Sequence, residues 1–201
     1  GIFNTIARLL CLIHNLTQIF FWGYELYLIF SIWADKGEIV RDVMNYPEVF
    51  SNLKRIQLLQ LLDILFGILG VTKTNPMLSI LQVCARNFVV LAIFEQNLSA
   101  KYSFIAIIPW SLSELIRYPY YTLADLGIQG FPTNFFKFVR MNAFLILYPI
   151  GVTGELLSLT ESWDILERVR PFQLELPNIY NISYEPMYMY TSFYVLCPLG
   201  C

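Results

Sequence analysis

Stretches of about twenty mostly apolar residues, the length that carries a helix across the hydrocarbon core of a bilayer, recur along this chain. Six can be delimited. The first runs from about Leu9 to Trp33 and closes on Asp35-Lys36-Gly37-Glu38. The second covers about Ile56–Val71, between Lys54-Arg55 and Lys73. The third covers about Met77–Leu98 and the fourth about Tyr102–Leu126. The fifth covers about Phe135–Leu159. A sixth starts near Tyr184 and is interrupted by Pro186 and Pro198. The stretch Glu161–Asn181 is too polar to cross. Lipid offers no partner to a free backbone N–H or C=O, so such spans must be helices or a closed barrel, and the strand alternation of a barrel is missing. The expectation is an all-α polytopic membrane protein, one bundle of about six transmembrane helices. Short loops make neighbouring helices antiparallel within a single domain over 1–201.

Composition agrees. Charged residues make up 14% of the chain, against about 25% in ordinary soluble domains, so a water-facing surface would be hard to build. A net charge of −2 offers no basic footprint for nucleic acid. The four cysteines (Cys11, Cys84, Cys197, Cys201) include no CxxC pair, and His14 is the single histidine, so a metal site would lack ligands. Cys11 and Cys84 read as small buried hydrophobes. No cysteine is followed six positions later by arginine, which excludes a phosphatase-type cysteine loop. A chain opening at Gly1 and stopping in an apolar stretch is expected to be truncated at both ends. No internal repeat is visible, which disfavours a transporter or proton pathway built on inverted repeats.

Charges inside the spans are the informative residues. A charge near the bilayer centre costs roughly 2.5–3.5 kcal/mol. Asp63, Arg86, Glu114, Arg117 and Glu155 would together cost on the order of 10 kcal/mol, comparable with the whole stability of a domain. They must face inward and pair. Glu114 and Arg117, three apart, are expected to form a local ion pair, and Asp63 and Arg86 an interhelical one. Gln82 and Arg86, four apart, share a helix face. Glu155 has no basic residue within a turn. Tyr148 lies seven residues before it, on the same face and about 10 Å away along the axis. Pro149 between them is expected to bend the helix, and Gly151 and Gly154 to leave open surface for a slender ligand.

The segment Tyr148-Pro-Ile-Gly-Val-Thr-Gly-Glu155 resembles the YPxGxxxE signature of the membrane very-long-chain (3R)-3-hydroxyacyl-CoA dehydratase family, the protein-tyrosine-phosphatase-like group. Glu114-Leu-Ile-Arg117-Tyr-Pro-Tyr-Tyr121, Gln82-Val-Cys-Ala-Arg86 and Leu176-Pro-Asn-Ile-Tyr-Asn181-Ile-Ser-Tyr184 resemble further family segments, in order, over roughly residues 50–185. The resemblance implies a six-span protein of the endoplasmic reticulum membrane. It implies dehydration of 3-hydroxyacyl-CoA to trans-2-enoyl-CoA in fatty-acid elongation, without a cofactor or metal. The partners it implies are the condensing enzyme, the ketoacyl reductase and the enoyl reductase of that cycle. It puts a catalytic pair on Tyr148 and Glu155, and supporting or substrate-binding roles on Asp63, Gln82, Arg86, Arg140 and Gly151. Asp63 stands where the family usually has Glu, one methylene longer, and the first span is unusual. A catalytically inactive paralogue acting as a scaffold for the other elongation enzymes is the alternative. Of the Lys/Arg other than Arg86 and Arg117, seven (Lys36, Arg41, Lys54, Arg55, Lys101, Arg168, Arg170) fall in odd-numbered loops against four on the opposite side (Arg8, Lys73, Lys137, Arg140). That count favours cytosolic odd loops, whereas the resemblance implies a cytosolic N-terminus and so the opposite orientation, which we adopt. Asn97-Leu-Ser99 and Asn181-Ile-Ser183 are glycosylation sequons in odd-numbered loops.

Overall fold

A computed structural model of the chain describes residues 2–72, 76–171 and 173. Helices account for most of the described residues, and no strand occurs among them. Helix α1 spans Ile2–Lys36, α2 Pro47–Ile68, α3 Pro76–Phe88, α4 Ser103–Asp125 and α5 Phe131–Val169. A 3-10 turn at Val43–Asn45 precedes α2, and α3 continues as a π-helical segment, Val89–Phe94. In sequence, the first five expected spans fall on α1–α5, and stretches of two of these helices, α1 and α5, are long and apolar enough to cross a membrane. The sixth, with the Leu176–Tyr184 segment and Asn181, lies outside the described residues.

Boundaries differ where local chemistry outweighs apolarity. Helix α2 begins nine residues before the expected Ile56, because Pro47 occupies the first turn and Glu48 faces the positive end of the helix dipole. The polar residues that make this turn look like a loop include Asn52, which is buried and donates to Glu25 Oε2 at 2.7 Å. At the other end, α2 stops at a left-handed Gly70 (φ 68°). Gly70 N–H bonds to Gly67 O and Val71 N–H to Phe66 O, the paired bonds of a Schellman stop. Helix α5 runs ten residues past Leu159 to Val169, so the first part of the stretch read as too polar to cross is helix. Its inward positions there are small or apolar, with Ser162 and Leu166 buried. Pro149 lies inside α5, which is helical on both sides of it.

Helix α4 is the centre of the bundle, packed along α5 on one side and α1 on the other, while α2 packs on α1 and α3. Trp22, Ile29, Leu53, Ile56, Phe94, Ile107 and Tyr118 fill the core. The interior also holds buried Gln18, Glu25, Gln57, Gln60, Asn87 and Glu114. Outside the pattern reverses: Leu9, Ile13, Phe20 and Tyr27 on α1, and Phe131, Phe138, Leu145 and Ile146 on α5, are exposed. Contiguous apolar surface on this scale marks a surface that meets something other than water. Two helical stretches, Thr5–Lys36 and Phe131–Val169, are long and apolar enough to cross a membrane.

Helices α4 and α5 approach closely at Gly154. A Cβ placed there would lie 2.4 Å from Ala106 N and 2.6 Å from Ile105 C, so α4 backbone occupies the space that the sequence suggested was open to a ligand. Of the two cysteines expected inside, Cys11 is buried and Cys84 is exposed on α3, because Val83 and Asn87 take the inward face of that helix. Asn97, in the first sequon, donates its side-chain N–H to Ser162 Oγ at 3.0 Å.

Candidate active site

Helices α3, α4 and α5 enclose a cavity of about 150 Å³. Its α5 wall follows helical periodicity: Arg140, Ala143–Phe144, Leu147–Tyr148, Gly151–Val152 and Glu155, residues three or four apart on one face. Tyr148 and Glu155 therefore share a wall, two turns apart, with Gly151 between them. The Phe144 ring stacks on Tyr148, centroids 5.0 Å apart and planes at 25°. From α3, Gln82 and Arg86 reach the same cavity, with Ala85 beside them. From α4 come Trp110, Ser113, Glu114 and Arg117.

Glu155, which sequence reading left without a partner, has one. Trp110 Nε1 donates to its Oε1 at 2.9 Å. The same indole packs at Gly151, where a Cβ would meet Trp110 Cδ1 at 3.6 Å, and it carries the Arg86 guanidinium 5.5 Å above its ring. Trp110 thus joins the carboxyl group, the glycine and the cation of the site. Nothing in the sequence marks it out, because it sits in the apolar run Ile105–Trp110 and reads as core.

The charged side chains pair, although not all as expected. Arg86 Nη1 bonds to Glu114 Oε1 across helices. Arg117 Nε approaches Glu114 Oε2 to 2.8 Å, the i,i+3 pair. Asp63 pairs with Arg117 Nη2 at 2.8 Å, not with Arg86. Glu114, itself in the cavity wall, takes Arg86 with one oxygen, and Arg117, three residues further along α4, is left to meet the short Asp63 side chain. Asp63 is accordingly not in the cavity wall. It is held there by Tyr118, whose hydroxyl donates to Asp63 Oδ2 at 2.7 Å, and by His14 at 2.8 Å. At the end of the cavity towards the α4–α5 turn, Arg140 stands over the Tyr120 and Tyr121 rings, 5.6 and 5.4 Å from their centroids.

Six of the seven residues singled out in the sequence, Tyr148, Glu155, Gln82, Arg86, Arg140 and Gly151, therefore line one cavity, and Asp63 touches it through Arg117. A phenol and a carboxyl group on one face, opposite a guanidinium and a carboxamide, form a set that can move protons at one end of a substrate and stabilise negative charge on another of its atoms.

Comparison with known proteins finds relatives over most of the chain. The chain is 32% identical over 148 residues to very-long-chain (3R)-3-hydroxyacyl-CoA dehydratase 1 of Canis lupus familiaris, covering 71% of this chain and 57% of that protein. It is 30% identical over 154 residues to dehydratase 2 of Homo sapiens, covering 75% and 58%. To the very-long-chain (3R)-3-hydroxyacyl-CoA dehydratase hpo-8 of Caenorhabditis elegans it is 32% identical over 141 residues, covering 69% and 64%. The chain spans well under two thirds of the length of the two mammalian relatives. No solved structure matches it. The profile of the family described as protein tyrosine phosphatase-like protein, PTPLA, matches residues 57–201, a span that contains α3, α4, α5 and every residue of the cavity wall. The chain belongs to the protein tyrosine phosphatase-like (PTPLA) family.

Proposed function

We propose that the protein removes water from 3-hydroxyacyl-CoA to give trans-2-enoyl-CoA, with Glu155 and Tyr148 as its acid–base pair. The observation that carries this reading is that both side chains line one cavity wall, with Arg86 and Gln82 also lining the cavity. The names of the relatives support the substrate class.

Glu155 accepts the α-proton, which the thioester carbonyl acidifies. Negative charge then gathers on the thioester oxygen, where Arg86 and Gln82 stabilise it. Tyr148 donates its phenolic proton to the β-hydroxyl as the C–O bond breaks and water leaves. The proton taken by Glu155 returns to the Tyr148 phenolate, closing the cycle without an added reagent. A cavity of about 150 Å³ is smaller than the roughly 300–1,000 Å³ of drug-sized pockets, so it holds the reacting carbons and the thioester. The acyl chain continues among apolar surface, where each buried methylene contributes about 0.8 kcal/mol.

In this reading the exposed apolar faces of α1 and α5 meet lipid, and the chain is a multi-pass protein of the endoplasmic reticulum membrane. Arg140 lies towards the α4–α5 turn, which a cytosolic N-terminus puts on the cytosolic side, where CoA arrives. The condensing enzyme, ketoacyl reductase and enoyl reductase of the elongation cycle are its proposed partners.

The direct test is turnover of 3-hydroxyacyl-CoA by the purified chain. Enoyl-CoA formation is expected, and its absence from folded protein would favour a scaffold. Arg140→Ala should raise KM about tenfold for the CoA thioester and leave the pantetheine thioester, which lacks the nucleotide phosphates, unchanged; equal effects on both would remove Arg140 from phosphate binding. Trp110→Phe keeps the ring and deletes the N–H. It should lower kcat about tenfold with KM within about twofold, because Glu155 loses the bond that aims it. A variant with parental kcat would show that the bond is only structural.

A further inference from the structure

Among the described residues, α1 supplies no side chain to the cavity wall, yet one α1 residue is tied to it through the side chains of Asp63, Arg117, Glu114 and Arg86. His14 is buried, 6% exposed, and its Nε2 lies 2.8 Å from Asp63 Oδ1. Phe66 and Tyr118 meet its ring edge-on, at 5.6 and 5.9 Å, so the imidazole has little room to turn. The second oxygen of Asp63 accepts from Arg117 Nη2 at 2.8 Å and from the Tyr118 hydroxyl at 2.7 Å. Arg117 approaches Glu114 Oε2, and Glu114 Oε1 bonds to Arg86. The signs alternate along the chain, from Asp63 through Arg117 and Glu114 to Arg86.

A carboxylate held at both oxygens cannot rotate about its Cβ–Cγ bond. With Oδ1 released, Asp63 turns, Arg117 and Tyr118 follow, and Glu114, which divides its two oxygens between Arg117 and Arg86, loses a fixed position. We propose that His14 is a positioning residue: by holding Asp63 it keeps the Asp63–Arg117–Glu114 chain in the one arrangement that aims the Arg86 guanidinium into the cavity. The inference rests on the dehydratase reading above. It also gives the short acidic side chain at position 63 a partner on the helix whose sequence looked unusual.

The test uses the full chain in detergent micelles, with kcat and KM for 3-hydroxyacyl-CoA measured per folded molecule. Side chains coupled through a shared network give non-additive variants, whereas independent sites add. His14→Leu should lower kcat about tenfold with KM within about twofold. His14→Gln, whose amide nitrogen reaches about as far as Nε2, should recover at least roughly a third of parental kcat. In an Arg86→Ala background His14→Leu should cost less than about twofold more. If His14→Leu does not fold, His14→Asn, polar but too short to reach Asp63, takes its place. Parental kcat in His14→Leu, equal impairment in the Leu and Gln variants, or the full tenfold loss repeated on top of Arg86→Ala would each overturn the proposal. Absence of turnover in the parental chain is a different outcome, which removes the dehydratase reading and this one with it.

Discussion

Glu155→Gln and Tyr148→Phe should each reduce turnover of 3-hydroxyacyl-CoA by about 10²–10⁴-fold, the usual contribution of a positioned acid or base. Both substitutions are chosen to leave the packing alone. Glutamine keeps the size of Glu155 and an oxygen that can accept from Trp110 Nε1, so only the capacity to take a proton is lost. Phenylalanine keeps the ring that stacks on Phe144 and deletes only the hydroxyl. The loss should fall on kcat more than on KM, because both groups act as charge develops and not when the thioester binds. Combining them should cost far less than the product of the single losses, since neither proton transfer proceeds without the other. Parental turnover in either folded variant would remove that residue from the chemistry.

Gly154→Ala should be the most damaging small substitution for the fold. The added Cβ would lie 2.4 Å from Ala106 N, 2.6 Å from Ile105 C and 2.9 Å from Ala106 Cα. All three are backbone atoms, which cannot swing aside as a side chain would, so α4 and α5 must part. Overpacking of this kind costs typically 1–3 kcal/mol, occasionally more. Replacing Ala106 by glycine should not restore the protein, because the clash is not with its side chain. Gly151→Ala is the control. Its Cβ would meet Trp110 Cδ1 at 3.6 Å and Pro109 Cβ at 3.7 Å, ordinary contact distances, so that variant should melt close to the parental protein. Thermal unfolding in detergent measures both, and a parental melting temperature for Gly154→Ala would show that the helices do not cross so closely. Separating them would also move Glu155, the next residue, away from Trp110, so activity should fall with stability.

Much of this site was legible before any coordinates. Helical periodicity alone puts Tyr148, Gly151 and Glu155 on one face, and Gln82 and Arg86 on another, because the spacing of 3.6 residues per turn is a property of the backbone. Asp63, Arg86, Glu114 and Arg117 do pair, since the cost of leaving a buried charge alone does not depend on the fold, whereas Glu155 meets the neutral indole of Trp110. Which charges pair was not legible. Asp63 had two arginines to choose from, and only the folded arrangement shows Glu114 taking Arg86 and Asp63 meeting Arg117. Trp110 was invisible for a related reason: an indole in an apolar run looks like core until a carboxylate is found 2.9 Å from its N–H. Gly154 was misread because glycine in a helix signals either open space or a close neighbour, and only the neighbour's position separates the two.

The residue order was enough to establish a helical, lipid-compatible chain with a phenol and a carboxyl group on one helix face, since those conclusions rest on apolar length, backbone hydrogen bonding and helical period, all local quantities. The partner of Glu155, the links from His14 to Asp63, from Asp63 to Arg117 and from Glu114 to Arg86, and the close approach at Gly154 depend on contacts between residues 28 to 54 positions apart. Those contacts are set by how the helices rotate and cross, and many arrangements of the same amphipathic helices share one sequence pattern until side-chain volumes and charges are packed together in space.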